Sequence, residues 1–492
     1  MKLKVKILKL HAGRPVSILH KKLADKLGVN IDDRVILKKL SQKIVSIIDI
    51  ATGFIKENEI AVSDELVKNL KLKEDDFIEV SLAPQPESME LIQKKLKCQP
   101  LNEKELKRII SDIVKNALTE PEIAYFVSSI YKCGMSINEI EYLIKAIVNT
   151  GQRLHLRGKV ADKHSIGGIA GNRTTPIVVS ICASAGLITP KTSSRAITSA
   201  AGTADVIEAI AEVEFSVSQL YKIIKKTNAC MVFGGSLGLA PADDKIIQIE
   251  RLINIDPEPQ LLASIIAKKL SVGSKYILID IPYGSSAKIE NKNKALKLKN
   301  KFEHLARDFK IKLKCILTDG RQPIGNGVGP VLEIRDVLSV LQQQKNKPLD
   351  LEKKSLILAG LLLEMTGKAK KHEGEKKAKR ILQSGEAFKK FQEIIKAQGG
   401  SLASSKLKLG NFYQEIRASK KGEIIDIDNK KINFLARLLG CPADKKSGIY
   451  LHKHVKDKAR SREKILTFYA ESEEKLKEAL KFYKKIHPIK IR

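Results

Sequence analysis

The chain has 492 residues, 43% of them hydrophobic, so its length and composition allow more than one folded domain. No apolar run reaches about 18 residues, and the opening MKLKVKILKL alternates charged and apolar side chains, which argues against a membrane span or signal peptide and favours a soluble cytoplasmic protein. The net charge of +33 is spread along a chain with no tryptophan and only 5% aromatic residues, which favours a solvated lysine-rich surface over nucleic-acid binding and is consistent with an anionic small substrate.

None of the six cysteines belongs to a CxxC pair, so neither a zinc ribbon nor a thiol redox motif is expected. In a cytoplasmic protein the six thiols are expected to be free and mostly buried.

The N-terminal segment contains a weak internal repeat. The stretch KKLADKLGVNIDDRVIL (21–37) resembles DELVKNLKLKEDDFIEV (64–80) at an offset of 43 residues, with aligned leucines and paired aspartates. Each copy predicts a short helix, a turn with two acids and a strand. Two copies with flanking strands favour a small pseudo-twofold β-barrel, because solenoid repeats are longer and occur in greater number.

The hydrophobic period changes to 3.6 over residues 102–151. Asn102, Thr119 and Ser136 each precede an amphipathic segment as expected helix caps, and Glu122 completes a capping-box pattern with Thr119. The segment therefore predicts a compact helical domain.

From about residue 153 to about residue 340, short apolar runs alternate with amphipathic helices, which is an α/β pattern. The segment NKPLDLEKK has the composition of a linker, and a helical stretch follows over roughly 351–398. The remaining residues predict a small C-terminal α/β domain. The fold class is therefore α/β, with several domains.

The stretch DKHSIGGIAGNRTTP (162–176) combines a charged strand end, a glycine-rich loop and the start of a helix. A helix N-terminus with a flexible loop and Lys163 suits an anion, and Ser165 and Thr174 add hydroxyl donors. Thr174 or Thr175 is the expected cap of the helix. The loop lacks the GK[ST] of a Walker A sequence, and an ordinary strand-to-helix turn explains the pattern equally well.

A second polar loop, KTSSRAITSAAGT (191–203), leads into a helix for which Thr203 is the expected cap. Alone, an ordinary Ser/Thr-rich loop is the better interpretation, but two such loops in one α/β unit favour a shared phosphate pocket.

Two more turns follow apolar strands. DIPYGSSAKIE (280–290) aims Lys288 at a phosphate or leaves it on the surface, and TDGRQPIGNGVGP (318–330) lacks a dinucleotide fingerprint and is interpreted as structural.

The segment IDPEPQLLASIIAKKL (255–270) predicts a helix with Asp256 as its N-cap and Pro257 in its first turn. Asp256, Gln260, Ser264 and Lys268 recur every four residues and form one polar stripe opposite an apolar face. The stripe is either a solvated surface behind a simple cap, or it presents a carboxyl group and a cation to a ligand.

Together, five stretches resemble the motifs of the thymidine/pyrimidine-nucleoside phosphorylase family, in family order: DKHSIGGIAGNRTTP, SSRAITSAAGTAD, FGGSLGLAPADD, DPEPQLLASIIAKKL and TDGRQPIGNGVGP. The likeness covers nearly the whole chain. It is closer to the AMP phosphorylase branch, the nucleoside monophosphate phosphorylases, because that branch carries a small N-terminal domain.

The resemblance implies four domains with an active site in the cleft between the helical and α/β domains. The expected boundaries are 1–84 for the barrel, 88–152 plus about 241–271 for the α domain, 153–240 plus 272–345 for an α/β phosphate-binding domain with a mixed sheet, and 346–492 for a helical connection and the C-terminal α/β domain.

The implied activity is that of a pentosyltransferase. AMP, with CMP and UMP as further candidates, would react with inorganic phosphate to give the free base and α-D-ribose 1,5-bisphosphate in nucleotide salvage or degradation. The alternatives are a thymidine or pyrimidine-nucleoside phosphorylase and, from another class, a basic nucleic-acid-binding protein on the same scaffold. The resemblance implies that the chemistry needs no cofactor and no metal, with inorganic phosphate as a co-substrate. It also implies a homodimer or larger homo-oligomer without a membrane or nucleic-acid partner.

The resemblance also assigns residues. Asp256 matches the proton donor to the leaving base, for which burial of the carboxyl group would supply the raised pKa that a donor needs. The matching phosphate-binding residues are Lys163, Ser165 and Ser193. The matching nucleotide contacts are Gly168, Ser194, Arg195, Ala196, Ile197, Thr198, Ser199, Thr203, Ser264 and Lys288. Further expected contacts are His164, Thr174 and Lys268.

Overall fold

The computed structural model describes residues 1–196 and 199–492. The chain forms two compact units, the first comprising Met1–Gly151 and Ala240–Ser264 and the second comprising Gln152–Leu239 and Ile265–Arg492. Among the described residues, no helix is both long enough and apolar enough to span a membrane. The predicted four-domain boundaries stay a prediction. Helices and strands are numbered below in chain order.

The N-terminal segment is a closed six-stranded barrel, as the repeat predicts. Its strands follow the order β1-β5-β2-β4-β3-β6 around the barrel. The offset of the repeat superposes β3 on β6 and α1 on α2, and equivalent aspartates, Asp32 and Asp75, have φ angles of 69° and 67° in the two tight turns. The elements are β1 (Lys2–Ile7), β2 (Val16–His20), α1 (Lys21–Leu27), β3 (Arg34–Lys39), β4 (Gln42–Ala51), β5 (Glu59–Val62), α2 (Asp64–Leu70) and β6 (Phe77–Leu82).

A helical bundle completes the first unit. Its members are α3 (Ser88–Leu96), α4 (Glu103–Val114), α5 (Glu120–Cys133), α6 (Ile137–Thr150), α10 (Pro241–Ile253) and the start of α11 (Glu258–Ser271). Each of the three predicted caps before α4, α5 and α6 donates its backbone N–H to a glutamate three residues later, at 2.7–2.9 Å. These reciprocal bonds satisfy backbone groups that a helix start leaves unpaired.

The prediction of six free thiols is wrong for two of them. Cys98 and Cys133 form a disulfide that joins the ends of α3 and α5, with Cα atoms 5.2 Å apart. The two residues are 35 positions apart and come together only because the helices pack, so no local motif announces the pair. The other four thiols, Cys182, Cys230, Cys315 and Cys441, are free and buried as expected.

The second unit is built on parallel strands joined by helices. Strands β11-β10-β7 form one sheet and β8-β9 another, and a parallel bridge from Val160 to Ile188 joins the two. The elements are β7 (Ala161–Ser165), α7 (Thr174–Ser184), β8 (Thr189–Ser193), α8 (Thr203–Glu208), α9 (Val217–Thr227), β9 (Ala229–Phe233), β10 (Tyr276–Tyr283), α12 (Lys292–Asp308) and β11 (Lys312–Asp319).

Among the described residues, strands β7 to β11 of the sheet predicted as mixed pair only in parallel. Each connection between these strands passes through at least one helix, which is the kind of crossover that parallel neighbours need. Antiparallel pairing occurs in the C-terminal domain instead.

Helices α13 (Pro330–Leu341), α14 (Leu349–Met365), α15 (Gly374–Gln383) and α16 (Glu386–Ala397) follow. The segment predicted as a linker, NKPLDLEKK, contains the start of α14. Apolar residues of these helices share one core with α7.

The C-terminal domain is a small α/β domain, as expected, with sheet orders β12-β15-β17-β13 and β16-β14-β18. Its elements are β12 (Gly327–Val328), β13 (Phe412–Arg417), β14 (Gly422–Ile427), α17 (Asn429–Leu438), β15 (Gly448–Leu451), β16 (Lys458–Ala459), β17 (Lys464–Ala470), α18 (Glu473–Ile486) and β18 (Ile489–Ile491).

A buried ion pair ties the helical bundle together and generates a stability prediction. Glu139 accepts from Lys95 Nζ at 2.7 Å and from the backbone N–H groups of Ser136 and Leu101 at 2.9 and 3.0 Å. Burial opposes ionisation of Glu139, but these donors outweigh burial and hold its pKa below the usual value. The stabilisation is therefore present above the ordinary glutamate pKa and is lost as the pH falls through the folded-state pKa.

We expect Glu139→Gln to lower the free energy of unfolding at pH 7 by about 3 kcal/mol, because the Lys95 ammonium stays buried without a counter-charge. Urea unfolding measures the loss. The double variant with Lys95→Met is the control and is expected to recover most of the stability. An unchanged midpoint for Glu139→Gln would contradict the account.

Candidate functional site

The polar loops predicted from the sequence follow the carboxyl ends of β7, β8, β10 and β11. Strands β7 and β10 pair in parallel with Ser165 opposite Asp280, so both strands deliver polar residues to one edge of the sheet. In open α/β sheets this edge is where ligands bind. We call the four segments 166–173, 194–202, 284–288 and 320–329 the site loops; the last includes the two-residue strand β12, and residues 197 and 198 of the second lie outside the described residues.

Lys163 lies at the centre of this edge. Its side chain is buried, and its Nζ donates to Thr174 Oγ1 at 2.7 Å and reaches Thr175 Oγ1 at 3.5 Å. Burial, together with the cations Lys354, Lys191 and Arg173, lowers the pKa of Lys163 to about 7. The direct partners of this ammonium among the described residues are thus neutral hydroxyls at the start of α7.

The structure corrects the role of the two threonines. The N-cap position of α7 belongs to Arg173, which makes no side-chain capping bond. Thr174 and Thr175 are the first helical residues and turn their hydroxyls to Lys163 instead. A helix N-terminus, two hydroxyls and an ammonium group converge here, which is an arrangement suited to an oxyanion.

Ser165 is oriented by a buried carboxylate. Its Oγ donates to Asp280 Oδ2 at 2.8 Å, and Asn172 Nδ2 donates to the same hydroxyl at 3.3 Å. Asp280 also binds Lys354 Nζ at 2.9 Å and the hydroxyl of Thr318 at 2.6 Å. Burial opposes ionisation of Asp280, but Lys354 and Lys163 lower its pKa below the usual range, so it is an anion at neutral pH.

A second buried carboxylate, Asp162, holds two lysines. Lys269 Nζ lies 2.6 Å from Asp162 Oδ2 and Lys191 Nζ lies 3.3 Å from Oδ1. Lys191 also donates to the carbonyl oxygen of Lys163 at 2.9 Å. The pKa of Lys269 falls to about 7, mainly through burial and in part through Lys191, against the opposing effect of Asp162.

His164 is half-buried beside these lysines. Burial, and then the charges of Lys269, Lys191 and Lys163, hold its pKa well below the usual value, so the imidazole is neutral at neutral pH. It can donate or accept a hydrogen bond but adds no positive charge. Its expected contact with a ligand stays a prediction.

Carboxylates bind described residues at both ends of the loop 194–202. Arg195 makes a bidentate pair with Glu208, with both distances 2.7 Å, and a third contact with Glu214 at 2.8 Å. Its guanidinium also lies over the ring of Phe233, 5.0 Å from the centroid. These contacts engage the guanidinium in shaping the loop. Whether Arg195 also contacts a nucleotide stays a prediction.

Other residues of this loop are placed as follows. Asp205 Oδ2 accepts from the N–H groups of Ala196 and Gly202 at 2.7 and 2.8 Å. The N-cap of α8 is Gly202, not Thr203 as predicted, because Asp205 satisfies the backbone groups and Thr203 Oγ1 accepts from Arg173 Nη1 at 2.9 Å.

The hydroxyls of the loop differ in their partners. Ser193 Oγ is buried with no hydrogen-bond partner among the described residues, whereas Ser199 donates to the carbonyl of Ala201 at 3.0 Å. Ser194 is half-buried. The predicted contacts Ile197 and Thr198 lie outside the described residues.

Gly168 and Lys288 lie against each other. A Cβ on Gly168, whose φ is 86°, would stand 2.7 Å from the backbone nitrogen of Lys288. Only glycine allows this approach and this φ. The structure therefore brings these two predicted nucleotide contacts together, with Lys288 half-buried.

The helix that follows Asp256 differs from its prediction by one residue. Helix α11 begins at Glu258, and the carbonyl of Pro257 accepts its first bond from Leu261 N–H at 2.9 Å, so Pro257 holds the cap position predicted for Asp256. Asp256 is exposed in this structure, not buried. Its role as a donor stays a prediction.

The polar stripe of α11 is not a solvated surface. Gln260 is buried and binds Asp243 Oδ1 at 3.0 Å, and Ser264 donates to Oδ2 of the same carboxylate at 2.9 Å. Lys268 is half-buried, and its expected contact with a ligand is untested.

Several residues of the charge network are absent from the sequence-based set: Asp162, Arg173, Lys191, Lys269, Asp280 and Lys354. Lys269 follows Lys268 on the apolar side of the helix, and a lysine on an apolar face is the one signal that points to a buried partner. Asp280 and Lys354 carry no such signal, because their partners lie far along the chain.

The described residues contain no group of three or more His, Cys, Asp or Glu side chains placed to hold a metal ion.

Comparisons with known proteins agree with this arrangement. Residues 157–388 match the glycosyl transferase family α/β domain, residues 89–151 match its helical bundle domain, and residues 424–490 match the pyrimidine nucleoside phosphorylase C-terminal domain. Anthranilate phosphoribosyltransferase from Thermus thermophilus has a similar fold, with a TM-score of 0.52 at 16% identity over 63% of this chain and 99% of that one.

Curated relatives match over nearly the full length. AMP phosphorylase of Methanocaldococcus jannaschii is 41% identical over 93% of this chain and 92% of its own. AMP phosphorylase of Methanococcus aeolicus is 40% identical over 99% and 97%, and AMP phosphorylase 1 of Archaeoglobus fulgidus is 39% identical over 97% and 95%. The chain is therefore a pentosyltransferase that belongs to the AMP phosphorylase branch of the thymidine/pyrimidine-nucleoside phosphorylase family.

Proposed function

We propose that this enzyme catalyses the phosphorolysis of AMP by inorganic phosphate, releasing adenine and α-D-ribose 1,5-bisphosphate, in nucleotide breakdown or salvage. CMP and UMP are further candidate substrates. Relatives named AMP phosphorylase at about 40% identity support the nucleotide. The observation that carries the proposal is the buried Lys163 ammonium, whose direct partners among the described residues are hydroxyls.

In the proposed reaction an oxygen of inorganic phosphate attacks C1′ of the ribose, and the bond from C1′ to the base nitrogen breaks with its electron pair going to the base. Lys163, Ser165 and Ser193 hold the phosphate. The ammonium and the hydroxyls neutralise and orient an anionic nucleophile beside a transition state with oxocarbenium character. Asp280 orients Ser165 through a hydrogen bond, and its negative charge partly offsets the repulsion between Lys163 and the neighbouring cations.

The leaving base takes a proton as it departs. Asp256 is the proposed donor, and it must be protonated at the moment of transfer, for which loss of water around the carboxyl group upon substrate binding is the physical route. The nucleotide's own phosphate and ribose are assigned to Gly168, residues 194–199, Thr203, Ser264 and Lys288. Inorganic phosphate is the co-substrate, and the proposed chemistry uses no cofactor. We further propose a homodimer or larger homo-oligomer.

The substrate is tested by product analysis. AMP, CMP, UMP and thymidine are each incubated with and without phosphate, and bases and sugar phosphates are separated by chromatography. We expect base release from AMP only with phosphate, accompanied by a pentose bisphosphate. Cleavage of thymidine or uridine with AMP untouched would instead identify a nucleoside phosphorylase.

For the donor, Asp256→Asn is expected to lower kcat about 10²–10⁴-fold with little change in the KM for AMP, because the amide keeps the shape of the side chain but supplies no acid. The matched control is Glu258→Gln, which neutralises another acid two residues away, at the start of α11, and should retain activity. A near-wild-type rate for Asp256→Asn would remove this residue from the mechanism.

The pKa of Lys163 predicts a pH dependence. Lys163 is a cation below about pH 7 and becomes neutral above it, so kcat/KM for phosphate should fall toward tenfold per pH unit above that pH. Lys163→Ala should lower kcat/KM about 10²–10³-fold at pH 6.5 and should abolish the decrease in kcat/KM at alkaline pH, which we call the alkaline limb of the profile.

The control is Lys245→Met. Lys245 is a lysine whose pKa burial lowers to about 8, but it binds backbone carbonyls at the end of α4. The Lys245→Met variant should therefore keep the alkaline limb of the pH profile. If the limb persists in Lys163→Ala, another group controls phosphate binding.

A further inference from the structure

The C-terminal domain contacts the site loops through the first turns of α17. Asn429 and Asn433 lie four residues apart, so they share one face of this helix, and their exposures are 0% and 2%. Neither residue is a predicted ligand contact. Both side-chain amides nevertheless point into the loops that carry the predicted contacts.

Asn429 joins three of the loops at one point. Its Oδ1 accepts from the N–H of Ala170 at 3.0 Å, and its Nδ2 donates to the carbonyl of Gly320 and to Ser286 Oγ, both at 3.1 Å. Its own backbone N–H, one of the donors that a helix start leaves unpaired, also donates to Ser286 Oγ at 3.1 Å. One buried side chain thus binds loops 166–173, 284–288 and 320–329.

Asn433 binds the remaining site loop, 194–202. Its Oδ1 accepts from the N–H of Ala200 at 2.9 Å. A second contact from the same domain braces this loop indirectly, because Lys445 lies 2.6 Å from the Glu208 carboxylate that binds Arg195. All four site loops are therefore tied to the C-terminal domain.

The bonded residues lie next to the predicted ligand contacts in tightly packed loops. Ala170 is two residues from Gly168, and Ser286 is two residues from Lys288, and Gly168 and Lys288 touch each other. The N–H of Ile324 donates to the carbonyl of Ala170 at 3.1 Å, which links loop 320–329 to loop 166–173. Such close packing transmits a local shift instead of absorbing it.

We propose that Asn429 and Asn433 are positioning residues for the nucleotide, through which the C-terminal domain holds the site loops in their binding geometry. The identity of the ligand rests on the proposed function. Loss of the Asn429 amide leaves the Ala170 N–H and the Gly320 carbonyl buried without partners, so these loops must move to recover hydrogen bonds.

The test compares Asn429→Leu, Asn429→Asp and Asn433→Leu with Gln398→Leu in the full-length enzyme. Leucine keeps a side chain branched at the same atom but removes every side-chain hydrogen bond, and aspartate keeps the acceptor for Ala170 but loses the donor for Gly320. Gln398 is the matched control, because its buried amide also makes three bonds to backbone, from Met231 N at 2.8 Å and to Glu212 O and Met231 O at 2.9 Å, outside the site loops.

Hydrogen exchange without ligand, thermal midpoints and steady-state kinetics are measured for each variant. We expect Asn429→Leu to speed exchange in 166–173 and 284–288 and to raise the KM for AMP about 10- to 100-fold, with a smaller effect on the KM for phosphate. Asn429→Asp should lie between the wild type and leucine. Asn433→Leu should speed exchange in 194–202, and it carries the test if Asn429→Leu does not fold. Gln398→Leu should lower the thermal midpoint without these changes.

Unchanged exchange in the site loops, or equal increases in KM for Gln398→Leu at equal loss of stability, would overturn the proposal. If the wild type fails to cleave AMP, the proposed function fails. The exchange measurement on the ligand-free protein then still decides whether the asparagines position the loops.

Discussion

Burial of cationic side chains at one edge of a parallel sheet is the constraint on which the rest of the second unit depends. A buried ammonium is costly unless it is paired and hydrogen-bonded. Asp162 and Asp280 compensate Lys191, Lys269 and Lys354 by direct contact, while Lys163 is left with the hydroxyls of α7. Among the described residues at this edge, the fold thus pairs three lysines with carboxylates and leaves the Lys163 ammonium to hydroxyl partners.

The parallel strands make this arrangement possible. Lys163 and Ser165 are two residues apart on β7 and so share one face, and Asp280 stands opposite Ser165 on β10. Strand register thus sets an ammonium, a hydroxyl and a carboxylate side by side. The glycines that follow let the loops approach one another closely, and the C-terminal domain closes over them with two buried amides. The geometry of the site loops is thereby set by contacts of their backbone as well as by their side chains.

Local patterns were sufficient for much of this fold. The repeat predicted the barrel, and the caps before α4, α5 and α6 and the apolar strands were found because each depends on neighbours within a few residues. The motif resemblance pointed to Lys163 and Ser165, which the structure brings to the same sheet edge. Capping was predicted less well, since Arg173, Gly202 and Pro257 hold the positions predicted for Thr174, Thr203 and Asp256. The hydroxyls of Thr174 and Thr203 bind Lys163 and Arg173, which the sequence does not place beside them.

Long-range pairing could not be read from the sequence. Asp280 is 115 residues from Ser165, Lys269 is 107 residues from Asp162, and Asn429 is 259 residues from Ala170. The Cys98–Cys133 bridge likewise depends on how two helices pack. A single sequence contains no periodicity that links such positions, so these residues become visible only when the chain is folded.

The central claim is that inorganic phosphate becomes bonded to C1′ of a nucleotide. Incubation of the enzyme with AMP and ³³P-labelled orthophosphate tests it most directly, with the sugar products separated and counted. We expect label to enter a pentose bisphosphate in a one-to-one ratio with released adenine. Adenine release with all of the label remaining in orthophosphate would show hydrolysis and contradict the claim.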